Sequence, residues 1–136
     1  MTIWTCFAAT AVLGLVWVTP AMAGGSQSTQ YINVDGLNRQ YLLYLPDGFT
    51  KDEQMPVMMW HHGGGDTAND GINEADFRSL ADSERFIAVY AQAYPDVLEG
   101  CTCWGYEEPG GYENGNWEID LAYTSAVIDD LVDSYN

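Results

Sequence analysis

Positive charge is what this sequence has least of. Its 136 residues carry four Lys and Arg against 20 Asp and Glu, a formal net charge of -16. Such a field repels nucleic acid and anionic membrane surfaces, and it disfavours direct contact with an anionic polysaccharide. Neutral esters, polyesters and neutral glycans remain admissible partners. The same acidity also fits a solubility adaptation to a salty environment. Histidine is nearly absent, with two copies that sit side by side as His61 and His62. Adjacent side chains of a strand point to opposite faces, so this pair does not chelate one metal. No cofactor motif occurs. The stretch from Asp66 fails as a calcium loop, because Ala68 takes its third position and Phe77 its twelfth, where a carboxylate should close the site.

Charge of either sign is missing from residues 1–23. Residues 6–18 form an uncharged, largely apolar run of signal-peptide length, too short for a mature membrane span, and Ala21-Met22-Ala23 supplies a small-x-small cleavage site. The expectation is export, to a secreted or periplasmic location, with cleavage after Ala23 and no membrane association afterwards. An uncleaved anchor is the alternative, since no Lys or Arg precedes the run. Residues 24–136 then suffice for one small domain or part of a larger one. At 47% hydrophobic and 13% aromatic, the composition is that of a packed chain rather than a disordered one.

Cysteine is also sparse, at three copies. Removal of Cys6 with the leader leaves Cys101 and Cys103, whose two-residue spacing suits a mutual bridge poorly. The expected disulfide partner therefore lies beyond Asn136. A free thiol pair and a soft-metal site are the rival readings, and two thiolates are too few ligands for structural zinc.

What is present is organised around residues 56–67. Val57, Met58, Met59 and Trp60 form a short apolar run behind Pro56, suited to a strand covered on both faces, and the run ends in His61-His62-Gly63-Gly64-Gly65. Three glycines remove every Cβ and let backbone N–H groups approach a ligand closely. Upstream, strands over 31–34 and 39–45 flank a turn at 35–38 led by Asp-Gly, which reads as a hairpin. Downstream, Ala75, Phe77, Leu80 and Ala81 suit an amphipathic helix over 73–84, and residues 86–90 suit a second buried strand. Strand, helix, strand in that order predicts a parallel βαβ unit with a right-handed crossover. Residues 91–117 form a long glycine-rich loop in which Tyr94, Trp104, Tyr106, Tyr112 and Trp117 are candidates for a substrate platform, or for a plug on the sheet edge. Glu107, Glu108, Glu113 and Glu118 invite a paired-carboxylate glycosidase reading, but nothing in the loop sets their separation. Residues 119–135 carry the clearest helical periodicity.

His62-Gly63-Gly64-Gly65 resembles the oxyanion loop after the third strand of α/β-hydrolases. The string from Arg39-Gln40-Tyr41-Leu42-Leu43-Tyr44-Leu45-Pro46 through Gly65-Asp66-Thr67-Ala68-Asn69-Asp70 resembles more closely the secreted polyhydroxybutyrate depolymerase and feruloyl esterase group of that superfamily. The resemblance covers about the whole of residues 24–136. It implies a carboxylic-ester hydrolase of α/β fold with a Ser-Asp-His triad, no cofactor, and an ester or polyester substrate, plant cell-wall-linked esters among the candidates. It implies oxyanion donors among Gly63, Gly64 and Gly65 and a bracing role for His62. The Gly-x-Ser-x-Gly elbow of the family occurs nowhere in the chain, so the triad is expected beyond Asn136 and the chain is read as an N-terminal part, truncated before the elbow. A pseudoenzyme that has lost the elbow is a further reading. From a different class, a non-catalytic secreted module would hold a glycan or polymer on the aromatic loop 94–117.

Overall fold

The computed structural model describes residues 24–96, 101–108, 112–114 and 117–135. The leader assigned to 1–23 lies outside them. Strands β1 (Ser26–Val34) and β2 (Leu37–Leu45) form an antiparallel hairpin. Its turn is tighter than expected: Asp35 and Gly36, with φ of 52° and 83°, complete it alone, and Leu37 and Asn38 already pair with Val34 and Asn33. A left-handed residue pair at a two-residue turn matches the twist of the flanking strands. Strand β1 also begins earlier than residue 31, because its polar first half is an exposed edge that carries no hydrophobic signal.

Strand β3 (Val57–His61) pairs in parallel with β4 (Ile87–Ala91), and β4 pairs antiparallel with β2, giving the order β1-β2-β4-β3. The expected βαβ unit is therefore present. The two strands read as equally buried differ, however: β4 is buried along its whole length, whereas β3 lies at the edge of the described sheet with Val57 exposed and Met58, Met59 and Trp60 half-buried. An unbroken apolar run cannot by itself distinguish a strand flanked on both sides from one flanked on one.

The helix expected over 73–84 is two helices, α1 (Ala68–Glu74) and α2 (Arg78–Glu84). Thr67 starts α1 early through a capping box with Asp70: the Thr67 hydroxyl accepts from the Asp70 amide, and the Asp70 carboxylate accepts from the Thr67 amide. At the break, the Tyr90 hydroxyl donates to Ala75 O at 2.9 Å and accepts from the Phe77 amide at 2.8 Å. One buried phenol thus satisfies both backbone groups that the interruption would strand. Two short hairpins follow β4, formed by β5 (Pro95–Asp96) with β6 (Cys101–Thr102) and β7 (Tyr106–Glu108) with β8 (Tyr112–Asn114), so the stretch read as a loop contains local pairing. Helix α3 (Trp117–Tyr135) closes the described chain.

The sheet is covered on both faces. Leu42, Tyr44, Ala88 and Tyr90 face α1 and α2 together with Ala68, Ile72 and Ala81. The alternate residues Tyr41, Leu43, Ile87, Val89 and Ala91 face α3 through Tyr123, Val127 and Leu131. Period-two alternation in the strands against a helical stripe in α3 produces this three-layer core.

A buried ion pair ties α3 to β2. Arg39 is 2% exposed and Asp120 7%. Arg39 Nη2 donates to Asp120 Oδ1 at 2.8 Å and to Gln92 O at 3.2 Å, while Asp120 Oδ2 accepts from the Gly105 amide at 2.8 Å. Arg39 Nη1 has no hydrogen-bond acceptor, but the guanidinium lies 4.0 Å from the centroid of the Tyr123 ring, whose π face takes the charge. Removing either member strands a buried charge, so Asp120→Ala is expected to cost about 3–5 kcal/mol of stability in urea unfolding, with Arg39→Met/Asp120→Leu recovering most of it. Additive losses in the double variant would refute the pairing.

Tyr123 supplies a pH-dependent component. Burial pushes its phenol up to about 12, with the Gln92 amide and Arg39 pulling weakly downward and Asp120 upward. The hydroxyl donates to Gln40 O at 2.7 Å and accepts from the Gln92 amide at 3.2 Å, so the fold favours the protonated form. The folded value exceeds the unfolded one, so this contribution is full below pH 10 and is lost as pH rises from 10 through 12. The urea midpoint should fall across that window, and Tyr123→Phe should flatten the fall; an unaltered slope would refute the link.

Candidate functional site

The in-register pairing of His61 with Ala91 makes β3 and β4 end side by side, so the segments that follow them emerge at one rim. Strand β2 runs the other way and brings its beginning there, since Tyr41 pairs with Ala91. The first turns of α3 reach the same rim through Asp120. Ligands of α/β sheets bind outside the carboxyl ends of their parallel strands, and the glycine loop stands at that position.

The loop is wired residue by residue. His62 is 3% exposed, and its Nε2 accepts the Ala93 amide at 3.1 Å. A backbone amide can only donate, so Nδ1 carries the ring proton and donates to Gly63 O at 2.7 Å. Gly63 O also accepts from the Asp66 amide at 3.2 Å, closing a turn whose corner is Gly65 at φ 86°, a conformation that favours glycine. The Gly65 amide donates to Thr102 O at 3.0 Å, and the Thr102 hydroxyl donates to Asp66 O at 2.7 Å. Trp104 Nε1 donates to His62 O at 2.9 Å. The amides of Gly63 and Gly64 have no partner among the described residues. Of the three glycines singled out as donors, Gly65 is thus engaged by Thr102 and acts as the corner, which leaves Gly63 and Gly64 for a ligand.

His62 therefore sits where a bracing residue would, joined to the loop at one nitrogen and to the β4 exit at the other. His61 points elsewhere. Its ring meets Trp104 edge-on at 4.6 Å, and burial lowers its pKa below the ordinary 6.5, opposed by the Asp120 charge and assisted by His62.

Of the aromatic candidates, Trp104 is turned inward between the histidines and Tyr123, whose ring centroid lies 6.2 Å away. Trp104 and Trp117 share a cavity of about 430 Å³ with His61, Leu121 and Thr124. Tyr94 instead stands on the other side of the loop, where a cavity of about 460 Å³ is bordered by Tyr31, Arg39, Thr67 and Thr102. The side chains of Tyr106, Tyr112, Glu107, Glu108, Glu113 and Cys101 lie outside the described residues. Glu118 is exposed in the first turn of α3. Cys103 is disulfide-bonded.

Sequence reasoning missed Gln92. Its Oε1 accepts the Ala68 amide at 2.9 Å, its Nε2 lies 3.3 Å from both His62 Nε2 and Ala93 O, and its backbone serves Arg39 and Tyr123. The available signal was a lone amide side chain at the exit of an otherwise apolar strand.

No family model matches the chain. It is 37% identical over 76 residues to liver carboxylesterase B-1 of Rattus norvegicus, which covers 55% of this chain and 12% of that protein. It is 28% identical over 95 residues to carboxylesterase 1E of Rattus norvegicus, covering 68% of this chain and 16% of that one. The chain thus spans a small fraction of the length of these relatives. A ferulic acid esterase shares its fold at a TM-score of 0.56 and 19% identity, over 84% of this chain and 45% of that one. A ferulic acid esterase of Anaeromyces mucronatus, solved with ferulic acid, does so at 0.52 and 16% identity, over 86% and 46%. The chain thus shares the fold of these two esterases, and part of its sequence resembles carboxylesterases.

Proposed function

We propose that this chain is the front part of an exported carboxylic-ester hydrolase, and that it supplies the oxyanion loop. The observation that carries the reading is the pair of amides at Gly63 and Gly64 without a partner among the described residues, in a loop where His62 O, Gly63 O, Gly65 N and Asp66 O are bound to the fold. Such donors meet the charge that develops on an ester carbonyl oxygen in acyl transfer. A serine from residues beyond Asn136 would attack that carbonyl, moving the π electrons onto the oxygen facing Gly63 and Gly64. A histidine would take the serine proton and pass it to the leaving alkoxide, and water would repeat the cycle on the acyl-enzyme.

The topology favours a serine strand in the right place. Tyr135 packs on Phe49 in the connection that precedes β3, so α3 ends where β3 begins. A strand entered from there runs parallel to β3 along the edge β4 leaves open, and it finishes beside the glycine loop. Leu121, Ile128 and Val132 form an exposed apolar stripe on α3, and Leu121 borders the cavity beside His61 on that same side. The names of the structural neighbours favour a ferulate ester, with plant cell-wall-linked, acetyl and polyhydroxybutyrate esters as the candidates to compare. Export would follow from residues 1–23.

The test is hydrolysis of methyl ferulate and short-chain esters by the full-length protein. Gly64→Pro removes an amide that the fold does not use, and it should lower turnover by about 100-fold to 1000-fold. Gly64→Ala places its Cβ 3.6 Å from Cys103 Sγ, an ordinary contact, and should be far milder. Absence of esterase activity, or equal and negligible effects of the two substitutions, would refute the reading.

A further inference from the structure

The peptide links of the glycine loop are planar and trans, so each carbonyl points opposite to the amide of the following residue. A carbonyl that is pinned therefore aims the next N–H. His62 O is held by Trp104 Nε1 at 2.9 Å, which sets the direction of the Gly63 N–H. Gly63 O is held by His62 Nδ1 at 2.7 Å and by the Asp66 amide at 3.2 Å, which sets the direction of the Gly64 N–H. The two unpartnered amides are thus oriented by different groups.

We infer that Trp104 is a positioning residue: its indole N–H, acting through the His62–Gly63 peptide, aims the Gly63 amide at the bound anion. This rests on the oxyanion reading above and adds a residue to it. Trp104 is suited to the role because its ring cannot drift. It stands edge-on to His61 at 4.6 Å, lies 5.3 Å from His62, and stacks on Tyr123 at 6.2 Å with an interplanar angle of 24°. On either side of it the chain is anchored again, by Thr102 on Gly65 and Asp66 and by the Gly105 amide on Asp120 Oδ2 at 2.8 Å. The segment 102–105 therefore works as a clamp on the loop, and the indole contact in it bears on the Gly63 amide. Loss of the indole N–H alone leaves the ring contacts in place and frees the His62–Gly63 peptide to rotate.

The experiment uses the full-length protein with Trp104→Phe, and with 3-benzothienylalanine at position 104, which keeps the bicyclic shape and lacks the N–H. The expected kinetic result is a fall in kcat of roughly tenfold to 100-fold, below the loss of a whole oxyanion donor, with KM changed less than twofold. The second readout is the residual dipolar coupling of the Gly63 N–H bond, which should change in both variants while those of Val89 and Tyr90 in β4 hold. If KM rises and kcat does not fall, or if the Gly63 coupling is unaltered in the benzothienyl variant, the inference is overturned. Should the protein prove to hydrolyse no ester, the hydrolase reading fails, and the coupling of Gly63 still decides whether Trp104 aims that amide.

Discussion

The parallel, in-register pairing of β3 with β4 is the constraint on which the rest of the site depends. Because His61 stands opposite Ala91, the loops that leave both strands share one rim, and the ring of His62 can reach the backbone of Ala93 across it. A slip of one residue would turn every side chain of β3 to the other face, exchanging the positions of His61 and His62. The glycine loop would then lose its brace. Burial of β4 on both faces, by α1 and α2 on one side and α3 on the other, is what makes that register costly to change.

A loop at such a rim would ordinarily be mobile, and this one is held by its own polar groups. Gly63 O, Gly65 N, Asp66 O and His62 O each have a partner, drawn from the loop itself or from residues 102–104. Each bond adds about 1 kcal/mol at most, so the arrangement contributes more to direction than to stability. Pre-orientation is what an anion site needs, because donors already aimed at a developing charge require no reorganisation when it appears. Gln92 extends the same network to the first turn of α1 through Ala68, and the Arg39–Asp120 pair extends it to α3. The rim is therefore joined to both helical layers, and neither layer can shift without disturbing it.

Charge is distributed unevenly with respect to this network. The chain carries 20 acidic residues, yet around the loop the buried carboxylate Asp120 is neutralised by Arg39 and bonded to the Gly105 amide. The Asp66 carboxylate also stands beside the loop, its Oδ2 2.8 Å from where a Cβ on Gly63 would lie, so the local field there is negative as well. A neutral ester that gains negative charge only during reaction can approach such a site, while a permanently anionic ligand meets the field of the whole molecule first.

The amino-acid sequence by itself determined the local geometry. The Asp35-Gly36 turn between strand-like runs produced the β1–β2 hairpin, the run 57–60 produced β3, the spacing of Tyr123, Val127 and Leu131 produced the buried stripe of α3, and three consecutive glycines marked the loop. These features depend on interactions within a few residues, which a sequence displays directly. Only tertiary structure decided that β3 lies at an edge of the described sheet, that a Tyr90 hydroxyl divides the expected helix in two, and that Trp104 packs against both histidines and Tyr123. It likewise decided which amides of the loop are engaged and which are left over. Each of those outcomes turns on a partner between 13 and 42 residues away, such as Tyr90 for Phe77 or Trp104 for His62, and hydrogen-bond partnership at that distance has no periodicity to be read from.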